Sequence, residues 1–231
     1  MIPRALLITP DWAPNRGGIA RLLGALVWGT EGEVHWRVVT KVPGPADESV
    51  RRAIGWRRFS AACLLESAWL RGASERLVVC AHAYAAAPAL VTARWAQAPM
   101  AAVVYAAELE SRVPRHRMSV ALLKRAERIV AISEHASRLA RARGLSPDRI
   151  AVVPPVLAPP WICERPSFRA PGSALRLVAI SRLVEGHKNL ELLLRVVSVL
   201  ARTGIVERLT IVGDGPRRRD LTAKAAILGV A

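Results

Sequence analysis

The sequence predicts an α/β protein built on a doubly wound parallel sheet, and three observations predict it. Short, nearly continuous apolar runs recur along the chain, helical patterns separate them, and one proline-dense stretch interrupts the rhythm before it restarts. A strand covered by helices on both faces loses the polar–apolar alternation of a half-exposed strand, so unbroken β-branched runs mark a parallel sheet. Their alternation with helical segments points to the doubly wound arrangement.

The apolar runs place strands at 4–9, 34–41, 76–81, 101–106, 128–133 and 149–154. Helical patterns fall at 18–28, 60–70, 83–96, 114–126 and 134–143. Residues 1–155 therefore read as one Rossmann-like domain of ordinary size. Prolines crowd the stretch 156–174, and a residue that lacks a backbone donor fits neither helix nor sheet, so this stretch reads as a linker. The β/α rhythm resumes in 175–231, with strands at 175–181 and 208–212 and helices at 189–202 and 216–228. Two strands do not make a covered parallel sheet, so 175–231 is expected to be the incomplete first part of a second Rossmann-like domain.

Composition bounds the function classes. The chain has 231 residues, 52% hydrophobic and 23% charged, a balance that excludes a disordered protein. No apolar run approaches the roughly 18 residues that span a bilayer, and no signal peptide is recognisable. The three cysteines, Cys63, Cys80 and Cys163, are scattered and fit reduced core thiols of a cytoplasmic protein. The net charge of +16 predicts attraction to polyanions, or else a surface rich in uncommitted arginines. Aromatic content of 5% and the lack of any recognition-helix pattern speak against a nucleic-acid-binding module.

Four segments could carry chemistry. Pro10 to Arg21 follows the first strand, opens a helix and contains Gly17-Gly18, which either lets a ligand approach the backbone or relieves strain in an ordinary turn. Arg182 ends the first strand of the second half and Lys188 starts the next helix. They form either a convergent phosphate clamp or two solvated charges. Gly213-Asp214-Gly215-Pro216 joins a strand to a helix, either framing a nucleotide or serving as a tight turn. His82 ends a strand and is either an acid–base group or a structural residue. Glu108 and Glu110 follow the fourth strand and could bond substrate hydroxyls or pair with arginines. His35, His116 and His135 read as non-catalytic, and Ser133 as a helix N-cap. No cluster has metal-ligand spacing. Residues 112–125 are basic with an apolar stripe, suited either to anionic lipid through Arg115, Arg117 and Lys124 or to the core.

The ordered set Gly17-Gly18-Ile19-Ala20-Arg21, residues 125–134 and 149–155, Ser181-Arg182-Leu183 with Lys188-Asn189-Leu190, and Val212-Gly213-Asp214-Gly215-Pro216 resembles retaining GT-B glycosyltransferases of family 4 (group 1). The resemblance implies two Rossmann-like domains facing across a cleft, the first holding the acceptor and the second a nucleoside-diphosphate sugar. It implies that Arg182 and Lys188 clamp the donor diphosphate without a metal or other cofactor, with Gly17 and Gly18 nearby and Gly213 and Gly215 in a donor-side turn. His82 and Glu108 are the candidate catalytic residues. The acceptor would be a glycan or lipid-linked, as in polysaccharide or glycolipid biosynthesis, with the protein cytoplasmic and peripheral at the inner face of the membrane. Tyr105-Ala106-Ala107-Glu108 departs from the family's His-Gly-x-Glu, and the family's paired-glutamate motif is expected beyond residue 231. Both departures leave open a truncated or degenerate, non-catalytic binding protein.

Overall fold

The computed structural model describes residues 2–15, 17–45, 47–155, 174–184 and 188–230. It divides into two compact units, Met1–Ile162 and Cys163–Ala231. The proline-dense stretch 156–174 lies outside the described residues except for Ala174.

The first unit holds β1 (Arg4–Thr9), α1 (Gly18–Gly29), β2 (His35–Thr40), β3 (Val50–Arg52), α2 (Trp56–Arg71), β4 (Arg76–Cys80) and α3 (Ala86–Ala96). Then follow β5 (Met100–Val104), α4 (Ala106–Glu110), α5 (Pro114–Leu122), β6 (Arg128–Ala131), α6 (Glu134–Ala142) and β7 (Ile150–Val152). The seven strands pair in the order β3-β2-β1-β4-β5-β6-β7, every pair parallel. Central β1 is buried from Ala5 to Thr9, because helices cover both of its faces. On one face Leu6, Ile8, Val78 and Ala102 pack with Phe59, Ala62 and Leu70 of α2, Ala89 and Ala93 of α3, and Ala136 and Ala140 of α6. On the other face Ala5, Leu7, Val38 and Val79 pack with Leu23 of α1. Right-handed crossovers produce this division: the chain winds β1→β2 in one direction and β3→β4→β5→β6→β7 in the other, so the two sets of helices fall on opposite faces.

Three departures from the sequence reading have local causes. Strand β3 is a three-residue edge strand, Val-Arg-Arg, too short and too charged to stand out as an apolar run. The fourth expected strand, 101–106, stops at Val104 because the Glu108 carboxylate accepts the Tyr105 amide and starts α4 there. Helix α2 begins at Trp56, four residues before its expected start, after Gly55 at φ 88° turns the chain.

The second unit holds β8 (Leu175–Ile180), α7 (Leu190–Arg202), β9 (Val206–Val212) and α8 (Arg218–Ile227), with β8 and β9 parallel. Leu183, Leu190, Leu194 and Leu221 form its small core, with Leu209 and Ile211 packed against them. The other face of the two-stranded sheet is open, leaving Val178, Ile180 and Val212 exposed.

Candidate active site

In an open α/β sheet, ligands bind beyond the carboxyl ends of the strands where the winding direction reverses. Here that point lies between β1 and β4, which run in register with Ile8 beside Cys80, and the Ala81 amide donates to the Ile8 carbonyl at 3.0 Å. The loops after β1, β4 and β5 leave the sheet at the same edge. They carry Gly17 and Gly18, His82, and Tyr105 with Glu108.

The structure brings His82 and Glu108 together. His82 Nδ1 forms a very short contact with Glu108 Oε1, the His82 side chain being 12% exposed and Glu108 4%. Oε1 also accepts the Ala83 amide at 2.9 Å, and Oε2 faces the Tyr105 amide at 3.4 Å. The carboxylate oxygen accepts in this contact, so the hydrogen-bond geometry favours the tautomer in which the imidazole donates from Nδ1. The Tyr84 amide also approaches Nδ1, at 3.4 Å, but a protonated nitrogen has no lone pair to offer it. The Nε2 lone pair remains, and among the described residues it has no hydrogen-bond partner. A ring oriented by a carboxylate with its other nitrogen available is the arrangement of a general base.

Gly17 and Gly18 are not explained by strain. Neither has a positive φ, a Cβ on Gly18 would meet nothing within 4 Å, and one on Gly17 would meet only Asp11 Oδ2, at 3.6 Å. Gly17 is the N-cap of α1, no side chain caps it, and the first turn carries no acidic residue. The first amides of this helix are therefore left without a side-chain cap among the described residues. The preceding loop is firmly held: Trp12 is buried, Asn15 donates to Asp11 Oδ1 at 2.8 Å, and Thr9 Oγ1 bonds both the amide and the carbonyl of Asp11. Arg52, at the end of β3, ties the same loop to the sheet edge. Its Nη1 donates to the Ala13 carbonyl at 2.8 Å and the Val42 carbonyl at 3.1 Å, and its Nε to the Pro45 carbonyl at 2.9 Å. Gly44 lies against the guanidinium, and a Cβ there would come within 2.8 Å of Arg52 Cζ. Arg52 lies in an unremarkable run of arginines, so no sequence signal marked it.

Tyr105 fills the position where the resemblance expects histidine. The residue is 6% exposed, its hydroxyl has no hydrogen-bond partner among the described residues, and burial followed by the Glu108 charge pushes its ionisation far up. It packs in the core beneath the site and cannot serve as a base at neutral pH. Beyond His82 the rings of Tyr84 and His116 follow at centroid spacings of 4.4 and 4.2 Å, a run of aromatics that sequence reading missed. Ser111 Oγ lies 2.6 Å from His116 Nδ1. Glu110 pairs with His135 at 3.0 Å on the surface, and Ser133 Oγ accepts the Ala136 amide as the N-cap of α6. Within residues 112–125 Val120 and Leu123 face the core, while Val113 and Met118 are exposed together with Arg115, Arg117 and Lys124.

In the second unit Arg182 and Lys188 flank the loop from β8 to α7, both exposed and without an ion pair among the described residues; residues 185–187 between them lie outside these. Gly213 and Gly215 have a packing explanation. Both have positive φ, 156° and 155°, and a Cβ would fall on the Ser181 carbonyl in one case and the Leu183 carbonyl in the other. Glu191, at the start of α7, contacts Lys224 and Arg217, and these two cations hold its carboxyl down at about 2. Among the described residues no group of three His, Cys, Asp or Glu side chains could hold a metal ion, and no helix is long and apolar enough to cross a membrane.

No family model and no curated protein matches the sequence. Solved GT-B glycosyltransferases match the fold. The chain is similar to the lipopolysaccharide outer core galactosyltransferase WaaB in its apo form, with a TM-score of 0.72 and 16% identity over 99% of this chain and 66% of that one. It is similar to Anabaena HepE in complex with UDP and glucose, with a TM-score of 0.66 and 13% identity over 99% and 67%. A Listeria monocytogenes protein assigned as a UDP-N-acetylglucosamine 2-epimerase shares the architecture at a TM-score of 0.56 and 11% identity, over 100% and 67%. The chain thus spans about two thirds of the length of these structures. At such identities the likeness defines the fold, α/β of GT-B type, and leaves the reaction to the site.

Proposed function

We propose that the chain belongs to a glycosyltransferase that moves a sugar from a nucleoside-diphosphate donor to an acceptor hydroxyl, glycan or lipid-linked, with retention of configuration. The observation that carries this reading is the His82–Glu108 pair at the switch point, in a fold shared with a protein that holds UDP and glucose. Nε2 of His82 takes the hydrogen of the acceptor hydroxyl, and Glu108 stabilises the imidazolium as it forms. The charge that develops on the departing diphosphate falls to Arg182 and Lys188. Gly213 and Gly215 hold the donor-side turn against the loop that carries Arg182. The exposed cations Arg115, Arg117 and Lys124 favour an anionic membrane surface, which suits a lipid-linked acceptor.

The buried Tyr105 favours a second reading, a transferase-like protein that binds the donor without turnover. A panel of UDP, GDP, ADP and their glucose conjugates separates the possibilities. A melting temperature raised selectively by one nucleoside diphosphate supports donor binding. Release of that nucleotide from its sugar conjugate, lost in His82→Asn, distinguishes the enzyme from the binder. No stabilisation by any member of the panel contradicts both.

A further inference from the structure

Helices α2, α3 and α5 lie side by side on one face of the sheet and expose an unusual mixture. Across the three, the only acidic residue is Glu66. That carboxylate is buried and already claimed by Arg37 at 2.6 Å and Arg51 at 3.0 Å. What remains outward is basic or apolar. On α2 the residues Arg57, Ala61, Leu64, Leu65, Ala68 and Arg71 recur at helical spacing and are all exposed, Leu65 by 69%. On the adjoining α3, Val91, Arg94 and Trp95 do the same, Trp95 by 59%. The two helices join at this face, since Arg71 Nε donates to the Trp95 carbonyl at 2.5 Å and its guanidinium lies 5.8 Å from the indole.

We infer that the outer face of α2 and α3 is the surface by which this domain lies on an anionic bilayer. The inference rests on the proposed membrane contact and extends it to a face where Leu64, Leu65, Val91 and Trp95 lie exposed together, beyond the Val113 and Met118 exposed at α5. The arrangement fits the chemistry of an interface. Leu64, Leu65, Val91 and Trp95 supply side chains that enter the acyl boundary, while Arg57 and Arg58 at one end of α2 and Arg71 and Arg94 at the other reach the headgroups. Unlike charges are missing from the face, so nothing repels phosphate. Aliphatic side chains between the cations suit lipid better than nucleic acid, which is gripped by stacked aromatics along a basic groove. Helix α2 starts at the edge where the carboxyl ends of the strands lie, so a bilayer on this face brings lipid-linked molecules to the same edge as His82.

Flotation of the full chain with phosphatidylcholine vesicles, with and without about one third phosphatidylglycerol, tests this. Wild type is expected to float with the anionic vesicles alone, and Leu65→Ser/Trp95→Ser to lose about tenfold in partitioning while melting as wild type does. Trp28→Ser, on exposed α1 surface across the sheet, serves as the control and keeps wild-type partitioning. Undiminished binding by the double variant overturns the inference, and loss only on neutralising Arg115, Arg117 and Lys124 leaves the membrane reading but moves the contact to α5. Failure of wild type to float, with retention of single-stranded DNA instead, overturns the membrane reading altogether.

Discussion

The carboxylate of Glu108 closes on Nδ1 of His82 while accepting the Ala83 amide at 2.9 Å, so one buried acid fixes both the ring and the turn that carries it. Glu108→Gln puts an NH2 group where three donors converge. The expected cost is about 1–3 kcal/mol of stability, read by chemical denaturation, because a buried donor is left facing a donor. In the wild type, nitrogen NMR of the imidazole should find the proton on Nδ1, and in Glu108→Gln that preference should be lost.

Glycines at the two loops should respond oppositely to alanine. Gly213→Ala and Gly215→Ala drive a methyl into the Ser181 and Leu183 carbonyls at a positive φ, and each should destabilise the second unit by at least about 2 kcal/mol. Gly18→Ala meets open space and Gly17→Ala only an ordinary contact with Asp11 Oδ2 at 3.6 Å, so both should melt within about a degree of wild type. If those two variants bind nucleotide as wild type does, the α1 amides are not part of the donor site.

Much of this was legible in the sequence. The buried strands announce themselves as apolar runs because both faces are covered, and β1 spans the residues expected of it. His82 and Glu108 were readable as strand-end residues, but their contact depends on the turn that Glu108 itself nucleates, a tertiary relation no spacing encodes. Edge strand β3 and its Arg52 were hidden because the arginine bonds three carbonyls brought together only by the fold. The two meanings of glycine were equally invisible, since φ and the neighbouring carbonyls decide between them.

Arg52 should therefore matter more than a surface arginine. Arg52→Ala removes three hydrogen bonds to carbonyls and is expected to cost about 1–2 kcal/mol, with faster amide exchange in residues 11–15. Exchange unchanged in that loop would show that the buried Trp12 holds it unaided.

Glu191 sets an acid limb for the second unit. Its carboxyl is held at about 2, below the ordinary 4.5, by Lys224 and then Arg217. A depressed folded value gives stability that is full above the unfolded value and fades as pH falls from about 4.5 through about 2. Glu191→Gln should thus melt below wild type at pH 6, and the two should converge near pH 2. A constant difference across that range would mean that the contacts are not ionic.

Cys63 and Cys80 are buried, and burial pushes both thiols up to about 12. Neither should be tagged by a thiol reagent at pH 8 until the protein is unfolded, as peptide mapping will show.

The most direct test of the account is the thermal response of the second unit to UDP, or whichever nucleoside diphosphate the panel selects, in wild type, Arg182→Ala and Lys188→Ala. Asn189→Gly is the suitable control, because Asn189 sits at φ 39°, where alanine would add strain of its own. The account predicts a rise in melting temperature for wild type and the control, and loss of that rise in both cation variants. An equal rise in all four proteins would contradict the assignment of Arg182 and Lys188 to the donor diphosphate.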